Sequence, residues 1–184
     1  MPDLRIIPAR ESDLDRYVDQ LEEIAGWLEA RGIKQWARGS FRGSRNYYAE
    51  SIRRHEVHLA FLGDELVGSF RLLLREPIVW PEVVDDDAVY LFNLAVKRSR
   101  AGHDLGGRML AWAAARARSL GKACVRLDCM ADNPYMAGYY ARAGFAERGD
   151  VDASYPPPVG VLRLKRFEKR VGSCDRQADV TIRM

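Results

Sequence analysis

The chain has 184 residues, of which 47% are hydrophobic and 30% charged, and carries a formal net charge of +3. That balance suits a single packed domain and excludes a disordered or collagen-like chain, while so mild a basicity does not single out nucleic acid. The longest uncharged run, the ten residues from Ala153 to Leu162, contains three prolines and falls short of the roughly 17–25 apolar residues that cross a membrane.

The opening residues, MPDLRIIPARESDLD, hold no apolar stretch of the secretory type, and Leu4 to Pro8 suits a first strand. Ser12 is placed to cap a helix from Asp13, whose apolar residues Leu14, Val18, Leu21, Ile24, Ala25 and Leu28 follow helical spacing up to Gly32. Arg38 to Arg45 reads as a loop and Asn46 to His55 as a short second helix. Glu56–Leu62 and Glu65–Leu74, separated by Gly63-Asp64, read as a hairpin. Pro77 to Asp87 is a loop. AVYLFNLAV, from Ala88 to Val96, is the kind of near-continuous apolar run that a strand buried on both faces requires.

Asp104 to Leu120 is an Ala-rich helix with an apolar side that includes Leu105, Met109, Leu110, Trp112 and Ala113, and Gly121 ends it. Ala123–Met130 is a strand and Asn133–Ala143 a helix with Gly144 at its end. Phe145–Asp150 and Val159–Lys165 are further strands, and the tail from Phe167 to Met184 is polar. Strand–helix–strand–helix–strand order in the second half implies a parallel crossover, while the hairpin is antiparallel. The expected class is therefore α+β: a mixed sheet with helices on both faces, formed by residues 1–166 and followed by a tail, 167–184. Cys124, Cys129 and Cys174 lack metal-ligand spacing and fit a reducing cytoplasm.

The strand ending at Val96 runs through KRSRAGHDLGG into the Ala-rich helix. A strand feeding a glycine-containing loop at a helix N-terminus brings free N–H groups and the positive end of the helix dipole together, which suits an anion. Gly102, Gly106 and Gly107 allow close approach, and Lys97, Arg98 and Arg100 add charge. Neither the Gly-Lys-Ser/Thr of a P-loop nor a G-x-G-x-x-G spacing is present. His55 and His58, in HEVH, lack zinc-site spacing, so no metal is expected. Asp128 interrupts an apolar strand, and Asn93 is polar within another. Asp85-Asp86-Asp87 is either a lure for a cationic amine or a solvated loop face.

LAVKRSRAGHDLGGRMLAWA followed by RLDCMADNPYMAGYYARAGF resembles the GNAT superfamily of acyl-CoA-dependent N-acyltransferases. Asn133, Tyr140, Gly144 and Phe145 fall on that family's second motif, with Met136 in place of an alanine. Ala101 stands where the first motif has Arg or Gln, and Asp104 where it has its first loop glycine. Arg31 to Trp36 is similar to the end of the first helix in a bacterial subgroup. The resemblance implies a central sheet of six or seven strands, with two parallel strands splayed around the arm of the cofactor, acetyl-CoA. Leu94, Ala95, Val96, Arg100, Ala101, Gly102, His103, Asp104, Leu105, Gly106, Gly107, Asn133 and Tyr140 would then contact coenzyme A.

In such a protein Tyr140 would be the general acid, though it is equally suited to packing among Tyr135 and Tyr139. Asp128 is the best acidic candidate for a base, against a structural role held by hydrogen bonds. Trp36 and Asn93 would face the acceptor, with Phe41, Tyr47 and Tyr48 as further wall residues or as core. The expected function is transfer of an acetyl group from acetyl-CoA to a small-molecule or protein amine by direct attack in a ternary complex. The alternative is a coenzyme A-binding module with little catalysis. Neither nucleic acid nor membrane is an expected partner, and a homodimer is an expectation from resemblance alone.

Overall fold

The computed structural model describes residues 3–156 and 159–172. Strand β1 (Leu4–Pro8) leads through a turn at Glu11–Asp13 into helix α1 (Leu14–Glu29). Ser12 stays exposed. The Asp13 carboxylate instead accepts the Arg10 N–H at 2.7 Å, so the helix begins at Leu14. The span expected to be a loop contains a one-turn helix, α2 (Ser40–Gly43), because Glu22 on α1 accepts the N–H groups of Gly39 and Arg42 at 2.8 and 2.9 Å. Helix α3 (Arg45–Arg53) follows.

The hairpin forms as read, with β2 (Val57–Leu62) and β3 (Glu65–Leu73) joined at Gly63-Asp64, where Gly63 takes a φ of 61°. Then come β4 (Ala88–Val96), α4 (Leu105–Ser119), β5 (Cys124–Met130), α5 (Pro134–Arg142), β6 (Ala146–Tyr155) and β7 (Gly160–Arg170). The last two strands run further than their sequence suggests. Phe167 belongs to β7 and is buried against Tyr140, with ring centres 5.6 Å apart, and β7 continues to Arg170. Cys174 and the rest of the tail from residue 173 lie outside the described residues.

The seven strands make one sheet in the order β1-β2-β3-β4-β5-β7-β6. Among the described residues only β4 and β5 pair in parallel, as the α4 crossover demands, and every other strand pair is antiparallel. Helices α4 and α5 cover one face, where Leu105, Met109, Leu110, Ala113 and Tyr140 pack on Phe70, Val89, Leu91, Val125 and Leu127. On the other face Leu14, Tyr17, Val18, Leu21, Ile24 and Ala25 of α1 bury the apolar side that their spacing dictates against Val57, Leu59 and Ala95. A third cluster, around Val79, Trp80, Tyr90, Cys124 and Leu164, seats the Pro77–Asp87 loop on that same sheet. Buried Arg126 fastens it by donating to Glu168, Asp85 and Tyr90. Burial lowers the proton affinity of the Arg126 guanidinium, but its bonds to Asp85 and Glu168 outweigh burial and raise it.

Candidate active site

The parallel pair at the centre of the sheet does not stay paired. β4 and β5 are in register from Ala88 opposite Cys124 to Leu91 opposite Leu127. Beyond that point the strands run on, to Val96 and to Met130, without pairing to each other. A bulge parts them. Asn93 sits at φ 51°, and the β3–β4 register slips between Phe92 and Ala95. The bulge re-aims the chain, so that Leu94 and Val96 pack with the α4 cluster while Ala95 is buried under α1. Main-chain groups of β4 from Asn93 to Val96 thus border an open gap in mid-sheet, a place where a strand-like guest can pair.

The loop from Lys97 to Asp104 closes one end of this gap. Gly102 and Asp104 both have left-handed backbones, at φ 83° and 51°, a conformation that aspartate tolerates better than most residues. The Asp104 carboxylate lies over Gly107, where a Cβ would come within 2.3 Å of its Oδ1. It does not cap α4 by a side-chain hydrogen bond, so the N–H groups of Leu105, Gly106 and Gly107 keep no intrahelical acceptor. Arg100 is turned away to an ion pair with Glu65, whose carboxyl is held below its usual range mainly by hydrogen bonding to that guanidinium. His103 is exposed, with Nδ1 3.2 Å from the Arg100 carbonyl and 3.1 Å from that of Ala101, and Ala101 itself is exposed.

Across the gap β5 carries Asp128, and Tyr140 of α5 packs in the same cluster as the β5 residues Leu127 and Cys129. Tyr140 is 4% exposed, between Phe145, Phe167 and Tyr139. Desolvation, and after it the charges of Cys129 and Asp128, hold its phenol protonated well above the usual tyrosine range. Asp128 lies on β5 within electrostatic reach of Tyr140, and its Oδ1 is buried without a hydrogen-bond partner among the described residues. Desolvation, reinforced by the charge of Glu76, pushes its carboxyl up to about 7. Cys129, beside it, is pushed up to about 12 by burial and is no nucleophile at neutral pH.

Comparison with known proteins gives the family and the fold of the chain. The Acetyltransferase (GNAT) family matches residues 19–145. The chain belongs to the GNAT acetyltransferase family. It is 35% identical over 153 residues to the uncharacterized N-acetyltransferase YesJ of Bacillus subtilis (strain 168), covering 80% of this chain and 83% of the relative. Its fold is also similar to that of a GNAT-family acetyltransferase from Listeria monocytogenes 4b F2365, with a TM-score of 0.75, 22% identity and 91% and 94% of the two chains covered. The aminoglycoside acetyltransferase AAC(6')-Ib, solved with coenzyme A and kanamycin, superposes with a TM-score of 0.67 at 19% identity, covering 89% and 94%.

As a GNAT enzyme the protein is an acyl-CoA-dependent N-acetyltransferase and its cofactor is acetyl-CoA. The residues present fit that group. Past Leu91 the Asn93–Val96 stretch does not pair with β5, so its main chain can take an extended arm as a partner there, and the uncapped start of α4 offers N–H donors to phosphates. A Cβ on Gly106 would come within 2.3 Å of the Tyr139 hydroxyl, so only glycine keeps this turn slim beside that tyrosine. Within residues 97–107 Asp104 is the only acidic residue, and its charge opposes a phosphate.

Asn133 caps α5, accepting the Met136 N–H on Oδ1 at 3.1 Å, and donates from Nδ2 to Gln35 at 2.9 Å. Trp36 is half-buried, edge-on to the buried Phe41 at 5.3 Å. Tyr48 is buried and Tyr47 half exposed, the latter under the Arg71 guanidinium at 4.7 Å. The Asp85–Asp87 run is not free for a ligand cation: Asp85 is bonded to Arg126 and Asp86 to Lys122. Among the described residues no cluster of His, Cys, Asp and Glu could hold a metal, and no helix is long and apolar enough to cross a membrane.

The structure adds three residues that the sequence reading did not single out. Glu76 is raised by burial, and its Oε1 accepts the N–H groups of Ile78 and Val79. Tyr155 is within electrostatic reach of both Asp128 and Glu76. Gln35 reaches β5 from the segment after α1. Glu76, in the loop after β3, and Tyr155, on β6, are far from Asp128 in sequence, and no local pattern marks their electrostatic effect on one another. Gln35 had a signal, its place in the Arg31–Trp36 motif.

Proposed function

We propose that the chain transfers the acetyl group of acetyl-CoA to an amine by direct attack, both substrates being bound together. The observation that carries this reading is the parting of β4 from β5 beyond Leu91 and Leu127, where β5 carries Asp128 on the face of Met130 and Cys129 on the face that holds Tyr140. When bound, acetyl-CoA supplies a thioester carbonyl open to attack by a neutral amine. Main-chain groups of Asn93 to Val96 hold and orient the arm as a neighbouring strand would. The N–H groups of Leu105–Gly107 receive phosphate charge.

Asp128, with a carboxyl near 7, is in part ionised at neutral pH and takes a proton from the amine at its unpartnered Oδ1. Tyr140, its phenol held protonated well above the usual tyrosine range, delivers a proton from Oη to the departing sulfur. Trp36 and Asn93 flank the acceptor, and the negative charge of Asp128 with Glu76 favours an acceptor that arrives as a cation.

Initial rates with acetyl-CoA and a panel of primary amines, each varied against the other, test this. Intersecting double-reciprocal lines are expected. Parallel lines would mean an acetylated enzyme and overturn direct attack. A second reading, a coenzyme A-binding module with little turnover, is favoured by the Asp104 carboxylate over Gly107 and by the engagement of Arg100 with Glu65. It predicts coenzyme A binding in calorimetry without acetyl-CoA consumption on any amine.

A further inference from the structure

Alternate N–H groups of a strand point to opposite neighbours. The Ala131 N–H donates to the Arg163 carbonyl at 3.0 Å, on the β7 side. The Met130 N–H therefore points into the gap left by β4, and its acceptor there is Gln35 Oε1 at 3.4 Å. The same oxygen accepts the Asn133 Nδ2–H at 2.9 Å, and Asn133 Oδ1 in turn accepts the Met136 N–H in the first turn of α5. One side-chain oxygen thus joins the end of β5 to the start of the helix that carries Tyr139 and Tyr140.

The chain segment bearing Gln35 is also fastened across the gap. Trp27, near the end of α1, lies under the guanidinium of Arg98, in the loop that follows β4, at 3.8 Å, and under that of Arg31 at 4.1 Å. The stretch from Trp27 to Gln35 therefore touches both lips of the opening, the β4 lip through Arg98 and the β5 lip through Met130 and Asn133.

We infer that Gln35 is a positioning residue for acetyl-CoA: its Oε1 stands in for the strand partner that β5 lacks and fixes the Asn133 amide beside the cofactor arm. This rests on the reading of the β4–β5 gap as the cofactor channel. With the last β5 donor occupied by Gln35, the arm finds its main-chain partners along β4. Gln35 acts through Asn133, so its contribution depends on Asn133 being present.

Calorimetric titration with coenzyme A tests this on four variants, with unfolding midpoints recorded alongside. Gln35→Met keeps the shape and removes the acceptor, and is expected to weaken binding roughly three- to tenfold, the range for one lost hydrogen bond. Gln35→Glu keeps the acceptor oxygen and is expected to bind within about twofold of the unaltered protein. Asn133→Ala is expected to weaken binding, and the double variant Gln35→Met/Asn133→Ala to be no weaker than Asn133→Ala alone. Gln35→Ala replaces Gln35→Met if methionine is not accommodated. The inference is overturned if Gln35→Met binds as tightly as the unaltered protein or tighter, if Gln35→Glu loses as much as Gln35→Met, or if the two losses add. Binding unchanged by Asn133→Ala would overturn the channel reading itself, together with this role.

Discussion

The Tyr139 hydroxyl stands over the Cα of Gly106, so close that a Cβ there would meet it at 2.3 Å and the adjoining ring carbon at 3.4 Å. Tyr139 and Tyr140 are neighbours in α5, with ring centres 5.6 Å apart, yet one faces the start of α4 and the other the core. Two effects compete at Gly106. Replacing a helical glycine by alanine gains about 1 kcal/mol in propensity, while forcing a methyl against an oxygen costs about 1–3 kcal/mol. At 2.3 Å the clash wins, so Gly106→Ala is expected to lower the urea midpoint. In a Tyr139→Phe background the hydroxyl is gone, and the same substitution is expected to become neutral or stabilising. A cost of equal size in both backgrounds would place the clash elsewhere.

Tyr140→Phe separates acid catalysis from packing. The ring remains between Phe145 and Phe167, so the fold and coenzyme A affinity are expected to hold, while kcat falls by roughly 10²-fold or more. Because burial keeps the phenol protonated far above neutrality, no loss of rate on the alkaline side below pH 10 is expected from this group. A variant with full kcat would leave Tyr140 a core residue.

The hairpin, the central strand and the Ala-rich helix were legible because each rests on local pattern: Gly63-Asp64 between apolar runs, AVYLFNLAV, and the spacing from Leu105 to Ala117. Phe167 was not, since its burial depends on pairing of β7 between β5 and β6, a contact between distant parts of the chain. The short helix at Ser40 was hidden for the same reason, its first N–H groups being satisfied by Glu22 on another helix. Within the site, Tyr140 and Asn133 could be found from motif spacing. Glu76 could not, because what brings it to Asp128 is the order of strands in the sheet.

Arg126 anchors the Pro77–Asp87 loop to the sheet through Asp85 and Glu168, and Glu168 is also held by Arg148. These guanidinium contacts hold the Glu168 carboxyl below its usual range despite partial burial. Arg126→Ala leaves Glu168 with only its half-exposed partner and removes the Asp85 tie of the loop, which Lys122 and Arg166 still hold through Asp86 and Glu82. A loss of about 3–5 kcal/mol in urea unfolding is expected, as for other buried pairs broken on one side. A loss under about 1 kcal/mol would rank the network with surface ion pairs.

Asp128 links activity and stability in opposite directions with pH. Its folded carboxyl titrates near 7, raised by desolvation and by Glu76, while an unfolded aspartate titrates near 3.9. As a base it works only when ionised, so kcat is expected to rise through about pH 7 and to lose that rise, with a roughly 10²-fold or greater fall, in Asp128→Asn. Between pH 4 and 7 the folded state holds a proton that the unfolded state has released, so the contribution of Asp128 to stability declines as pH rises across that window. Asp128→Asn is therefore expected to melt higher than the unaltered protein at pH 8, with the difference shrinking towards pH 5. The charge of Glu76 contributes to the upward shift of Asp128, so Glu76→Gln is expected to move the rise in kcat to lower pH. An unchanged pH profile in Asp128→Asn would remove it as the base even if the melting behaviour followed expectation, since burial alone produces the latter.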